Sequence, residues 1–207
     1  MFGILVKGGW MMIPLAACSL VAVTIIIDRM MFFKRIGTAH PGEEVIAAVR
    51  QGKIDEALNI IDQAPGTGRG APLPIMRILS AAITHRSDPE GAMGAAGVGE
   101  LSLMKRGLVA LDTIITASPL LGLLGTIIGM IDSFKVMSTA GLGQPHAVTG
   151  GVAEALIATA TGITIAVITL IPYNYFLSRI ERESDLMEVF STRMEMALAR
   201  LEKEQGQ

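Results

Sequence analysis

The chain has 207 residues, of which 51% are apolar and only 17% charged, against roughly a quarter charged in a typical soluble domain. Its 17 Lys and Arg nearly cancel its 19 Asp and Glu, leaving a net charge of −2, which argues against nucleic acid as a partner because an electrostatic binder needs a basic stripe. Cys18 is the single cysteine, and His40, His85 and His146 are scattered along the chain. Neither an intrachain disulfide nor a zinc site is expected, and no cofactor is called for.

Charge is missing from three stretches: Gly8 to Ile27 (20 residues), Thr113 to Ile131 (19) and Ala155 to Ser178 (24). A helix needs about 20 mainly apolar residues to cross a hydrocarbon core ~30 Å thick. The rest of the chain is too short to wrap three such helices in protein. The expectation is an all-α membrane protein. Its N-terminal transmembrane helix falls in 1–33, followed by a helical cytoplasmic segment over 34–106. The second transmembrane helix spans 107–137, a short connection 138–148, the third transmembrane helix 149–180, and a helical cytoplasmic tail 181–207.

The first run also has features of a lipoprotein signal, with Lys7 ahead of it and Leu15-Ala16-Ala17-Cys18 as a cleavage box. The apolar run continues through Ser19 to Ile27 and stops only at Asp28-Arg29, which reads as a retained helix. Lys and Arg gather between the first two helices and in the tail, and Ser138 to Val148 carries none. The positive-inside rule then places the N-terminus and the short connection outside, with the middle segment and tail in the cytoplasm.

In the middle segment, Val45, Ile46, Val49, Leu58 and Ile61 around Gln51-Gly52-Lys53 predict two short amphipathic helices joined by a turn. Ala64 to Gly70 reads as a loop and Ile75 to His85 as a helix. Ser87-Asp88-Pro89-Glu90 has the pattern of a capping box. The Gly- and Ala-rich stretch Gly91 to Gly99 weakens a helix in isolation, and no Gly-Lys-Ser/Thr follows it to make a phosphate loop. In the tail, Leu186, Val189, Phe190, Met194 and Leu198 keep a helical stripe, so the third helix is expected to run on as one long helix.

Within the membrane runs, Glu154 is the one charge between Ala147 and Ser178. Such a group usually faces a bundle interior or water, although near the outer end of a helix it also reads as a carboxylate reaching the outer surface. Thr126 sits midway along the second helix, and Thr159, Thr161, Thr164 and Thr169 punctuate the third. Most membrane threonines bond back to their own helix. Thr126 and Thr159, however, are nearly equidistant from the middle of the connection, so an antiparallel hairpin sets them at similar depth. Gly122, Gly125 and Gly129 on the second helix, and Gly150, Gly151 and Gly162 with Ala155 and Ala158 on the third, are close-packing positions; dense packing between subunits is expected from them. Three helices make a poor pore alone, so a conducting path requires several copies. No catalytic constellation is visible, and the chain does not read as an enzyme.

Ala117-Ser118-Pro119-Leu120-Leu121-Gly122-Leu123-Leu124-Gly125-Thr126-Ile127-Ile128-Gly129-Met130-Ile131-Asp132-Ser133-Phe134 resembles the second-helix signature of the MotA/TolQ/ExbB proton-channel family. Ala153-Glu154-Ala155-Leu156-Ile157-Ala158-Thr159-Ala160-Thr161-Gly162 resembles its third-helix signature. Both stand in the family's order and spacing, and three helices with the N-terminus outside resemble the ExbB and TolQ branch. The resemblance implies a homopentamer in a bacterial inner membrane, with a periplasmic N-terminus and a central pore. The pore holds two copies of a single-helix partner resembling ExbD or TolR, which carries a protonatable aspartate. A TonB- or TolA-like protein receives the work. Thr126 and Thr159 match the family's pore-lining threonines, Glu154 its third-helix glutamate, and Pro119 and Gly122 its packing positions. Glu154 and Thr159 are five residues apart, hence ~140° apart around a helix, so Glu154 is left between the pore mouth and a subunit seam. Thr161 lies nearer the Glu154 face and is a possible additional pore hydroxyl.

The leading expectation is therefore a proton-channel or motor subunit energising an envelope process, such as TonB-dependent import or Tol-Pal function, with sodium as an alternative ion. A passive membrane scaffold for single-helix partners is the competing one. A secondary transporter is disfavoured, because its usual internal repeats are not visible.

Overall fold

A computed structural model describes residues 9–36, 41–64, 73–140 and 145–205. The expectations for Lys7, His40, residues 65–70 of the loop and residues 141–144 of the connection lie outside the described residues. Seven α-helices are present among the described residues: α1 (Met12–Ile36), α2 (Gly42–Arg50), α3 (Ile54–Gln63), α4 (Pro74–Thr84), α5 (Pro89–Lys105), α6 (Leu108–Ala140) and α7 (Pro145–Gln205). Three helical stretches are long and apolar enough to cross a membrane: Met12–Lys34, one within Pro89–Ser138 and one within Thr149–Glu204. Helices α6 and α7 both extend into the stretch 138–148 that the sequence marks as a connection. Pro145 explains the start of α7, since a proline at the first helical position gives up only an amide that has no intrahelical partner.

The chain divides into two compact units. One comprises the chain up to Asp28 together with Gly107–Tyr175. Its centre is an antiparallel seam between α6 and α7 built from small residues. A Cβ on Gly122 would stand 2.9 Å from the Ala158 carbonyl oxygen and 2.9 Å from the Thr159 Cα. One on Gly125 would stand 2.8 Å from the Ala158 Cβ, and one on Gly129 2.9 Å from the Ala155 Cβ. A Cβ on Gly162 would overlap the Ser118 carbonyl, and one on Gly151 the Ser133 hydroxyl. These contacts pair 118 with 162, 122 with 159, 125 with 158, 129 with 155 and 133 with 151, the register of an antiparallel helical hairpin. The small-residue packing expected between subunits is thus found within one chain. The outer faces are apolar: Leu120, Leu156 and Ile171 are 65%, 62% and 70% exposed, a pattern suited to lipid or to further copies of the chain.

Pro119 lies inside α6 and Pro172 inside α7. A proline removes one helix hydrogen bond and leaves the carbonyl four residues before it, here that of Ile115 and of Ile168, without its usual amide donor. Beside Pro119, the buried Ser118 hydroxyl donates to the Ile114 carbonyl. Near Pro172, Thr169 donates to Ile165 at 2.7 Å.

The other unit comprises Arg29–Arg106 and Phe176–Gln207. Helices α2 to α5 form its small bundle: α4 packs on α5 and on α3, and α2 on α3 and α4. Val45, Ile46 and Val49 of α2 are buried, as are Ile61 of α3 and Ile78 and Leu79 of α4. The turn between α2 and α3 uses Gly52 at φ +74°, a left-handed conformation that glycine adopts without a Cβ penalty. Asp88, rather than the Ser87 that the capping pattern indicates, caps α5: its carboxylate accepts the Gly91 amide at 3.0 Å. Pro89 takes the first helical position, leaving its neighbour Asp88 as the cap. The glycine-rich stretch is helical throughout, held against α4 and fastened by the Arg77–Glu100 ion pair. In the C-terminal part of α7, Met187, Phe190, Met194, Ala197, Leu198 and Leu201 are buried, whereas Val189 is exposed. The expected stripe therefore runs slightly off Val189 and includes the buried Glu183, which pairs with Arg179 at 3.5 Å. Arg29 donates to the Leu103 carbonyl at 3.0 Å and lies over the Phe32 ring, and Phe33 stacks on Phe176.

Candidate ion-path site

The sequence singles out hydroxyls, and the structure sorts them by acceptor. Thr161 donates to Ile157 at 2.8 Å and Thr164 to Ala160 at 2.7 Å, each within its own helix. Thr126 likewise bonds back, to Leu123 at 2.6 Å. Thr159 differs: its hydroxyl crosses the seam and donates to the Gly122 carbonyl at 2.8 Å. In an α-helix that carbonyl also accepts the amide four residues later, which here belongs to Thr126. The two threonines meet at one carbonyl because Gly122 has no side chain to keep α7 away. In the hairpin register Thr126 is level with about residue 157 of α7, so it and Thr159 differ in depth by only ~3 Å at ~1.5 Å per residue.

Glu154 occupies different surroundings. It is exposed, and it lines a cavity of about 80 Å³ together with Gly9, Trp10, Met11, Gly129 and Asp132. Gly9 has φ +68°, and a Cβ there would overlap the Glu154 carboxylate, so the Gly9 backbone lies directly against this side chain. Pro119 and Thr161 are half-buried, and Gly122, Gly125 and Gly162 are buried in the seam. The structure thus joins Thr126 and Thr159 at one level and sets Glu154 apart, nearer the turn of the hairpin.

Residues 72–189 match the MotA/TolQ/ExbB proton channel family. The chain belongs to this family. An ExbB-like biopolymer transport protein of Synechocystis sp. (ExbB-like 3) is 35% identical over 205 residues, covering 93% of this chain and 92% of the relative. An ExbB homologue of Methanothermobacter thermautotrophicus is 31% identical over 191 residues, covering 88% of this chain and 65% of the relative. The Tol-Pal system protein TolQ of Pseudomonas aeruginosa is 39% identical over 90 residues, 44% of this chain and 39% of that protein. Membership in a proton channel and transport family accords with three apolar helices and a polar seam, and the family is not one of known enzymes.

Three groups that the sequence reading passed over belong to the same unit. Asp132 shares the Glu154 cavity and pairs with Lys135 at 3.3 Å. Gly9 lies in a stretch whose only sequence signal is a pair of glycines before an apolar helix. Tyr173 of α7 lies near Asp112 of α6. That pair was readable only once the hairpin register was known, since 61 residues separate its members.

Proposed function

We propose that this chain is the proton-channel subunit of a motor in a bacterial inner membrane, with its N-terminus on the periplasmic side. Five copies surround a pore that holds two single-helix partners of the ExbD or TolR kind, and the work drives an envelope process through a TonB- or TolA-like protein. In this reading Thr126 and Thr159 of each copy supply hydroxyls at one depth, and the partner supplies the titrating aspartate. Hydroxyls hold a water chain or hand on a proton without carrying a fixed charge, so they leave the partner's carboxylate as the group that changes state. Glu154 sits at the outer mouth, where an ionised group reaches water.

The observation that carries the reading is the hydrogen bond from Thr159 to the Gly122 carbonyl, in a chain that belongs to a proton channel family. It brings the two threonines together on the α6–α7 seam. The test is proton uptake into vesicles containing the chain and its co-expressed single-helix partner. Thr126→Ala and Thr159→Val are each expected to lower uptake at least tenfold while the complex keeps its mass. Wild-type uptake in both variants, with loss of the complex only on filling Gly125 or Gly129, would favour a passive scaffold instead.

A further inference from the structure

The threonines account for one flank of the hairpin and leave the other unexplained. There α1 begins against both helices. A Cβ on Gly125 of α6 would stand 2.8 Å from the Ala158 Cβ and 3.5 Å from the Met11 Cβ, so α1, α6 and α7 converge at this point. Glu154 precedes Ala158 by four residues, which on an α-helix brings it within ~40° of the same direction. Thr159 lies ~100° round from Ala158, on the side away from Glu154, and reaches Gly122. The two flanks of the seam are therefore chemically distinct. On one, Glu154 and Asp132 line the cavity of about 80 Å³ with Gly9, Trp10 and Met11; among the described residues neither Thr126 nor Thr159 borders it.

That cavity has room for several waters, since one needs roughly 10–15 Å³ of such space, and an ionised group on a membrane helix usually faces a place of this kind. Gly9 is what holds the carboxylate there. Its φ of +68° is a left-handed conformation that glycine adopts without a Cβ penalty. A Cβ on it would stand 2.9 Å from the Glu154 Cδ and 3.3 Å from its Cγ, and would overlap Oε1. Only a residue without a side chain lets the backbone close on the carboxylate from this direction. The atoms in the way are the far end of a flexible side chain, so a side chain at position 9 would push the carboxylate aside rather than part the helices.

We propose that Gly9 is a positioning residue of the ion path, acting through Glu154. It seats the carboxylate in the cavity on the α1 flank, and so keeps this fixed negative charge off the flank where Thr126 and Thr159 meet the partner's titrating aspartate. A second anion close to that aspartate would hold its proton more tightly, as like charges at short range do, and would slow its release. The left-handed glycine ahead of an apolar helix thus sets the side of α7 on which the glutamate acts. This inference rests on the proton-channel reading and goes beyond it in giving the residue before α1 a part in the path.

The test uses the full chain with its co-expressed single-helix partner in vesicles of phosphatidylethanolamine and phosphatidylglycerol holding a pH-sensitive dye. Gly9→Asn separates the two demands on the position, because asparagine adopts a positive φ more readily than other side-chain-bearing residues yet brings a Cβ against Glu154. It is expected to slow proton uptake at least fivefold at unchanged complex mass. Glu154→Asp is shorter by one methylene and withdraws the carboxylate, so uptake in Gly9→Asn/Glu154→Asp is expected to return to within about twofold of Glu154→Asp alone. A defect that the shorter acid does not relieve would overturn the proposal, since Gly9 would then act on the entry of the chain and not through Glu154. Wild-type uptake in Gly9→Asn beside a defective Thr159→Val would overturn it and leave the hydroxyl level standing. Wild-type uptake in both would overturn the proton-channel reading as well. Independently of uptake, modification of Glu154 by a water-soluble carbodiimide and an amine, read by peptide mass relative to that of Asp112, is expected to rise at least threefold in Gly9→Asn. An unchanged ratio would overturn the proposal even where Glu154→Asp is itself inactive or Gly9→Asn fails to assemble.

Discussion

Thr159 holds two roles that a single substitution separates by magnitude. Its hydroxyl makes one hydrogen bond across the seam, and such bonds between membrane helices average ~0.6 kcal/mol and reach ~1.7. Valine keeps the shape and removes the bond, so Thr159→Val is expected to destabilise the chain by no more than about 1.5 kcal/mol, measured by unfolding in mixed detergent. A loss of proton uptake far beyond that cost belongs to the ion path rather than to folding. Of the residue-scale features, Thr126 and Thr159 were legible because their distances from the connection are nearly equal. The acceptor of Thr159 was not, because choosing between its own helix and the next depends on how closely Gly122 lets α7 approach. Gly9 against Glu154 was also hidden, since the contact joins positions 145 residues apart.

At the scale of elements, equal glycines have opposite consequences. A Cβ at Gly162 meets the Ser118 backbone, and backbone in a seam has nowhere to move. Gly162→Ala is expected to destabilise by about 1–3 kcal/mol, in the range of overpacking. Gly94 of α5 has nothing within 4 Å of the same atom. Gly94→Ala is expected to stabilise by about 0.5–1 kcal/mol, through helix propensity and a restricted unfolded chain. Comparing the two variants by unfolding in detergent tests the seam directly, because the chemical change is identical. The glycine series was legible as packing sites. Whether the packing partner was the same chain or a second copy was not, because spacing describes a face and not its neighbour. Helices α2, α3 and α4 were legible from apolar periodicity, since their buried residues follow it. The cap of α5 was misread because Ser87 and Asp88 both suit an N-cap, and only the position of Pro89 in the first turn decides between them.

The fastening of α2 to the C-terminal part of α7 gives a pH signature at the same scale. Both guanidinium nitrogens of Arg193 reach the Glu43 carboxylate, and this hydrogen bonding holds Glu43 below its ordinary value of 4.5. A depressed carboxylate contributes stability that is present above its unfolded value and lost as pH falls through its folded one. The wild-type chain is therefore expected to melt above Glu43→Gln at neutral pH. The gap should begin to close near pH 4.5, the ordinary value, and vanish below the lowered one. The pair is solvent-exposed, so the gap is small and shrinks with added salt. A gap that widened on acidification would contradict the assignment.

At the scale of the whole molecule, the question is what covers the apolar outer faces. One chain gives a hairpin whose two helices are closed on each other by small residues, with Thr126 and Thr159 half-buried at its side. A path wide enough for a partner's helix needs walls from several copies, each presenting the face that carries Thr126. Leu123 of α6 is 52% exposed, and Leu156 and Ile171 of α7 are more exposed still, so one chain has apolar surface enough for both neighbours and lipid. Closed rotational symmetry buries such faces without leaving one copy's edge open. The mass of the complex in detergent is expected to correspond to five copies alone, and to five copies with two small subunits when the single-helix partner is co-expressed. A monomer or dimer indifferent to the partner would remove the pore, and with it the reason for two hydroxyls to stand at one level. The small-residue seam would then serve only to hold a hairpin together, and the scaffold reading would take its place.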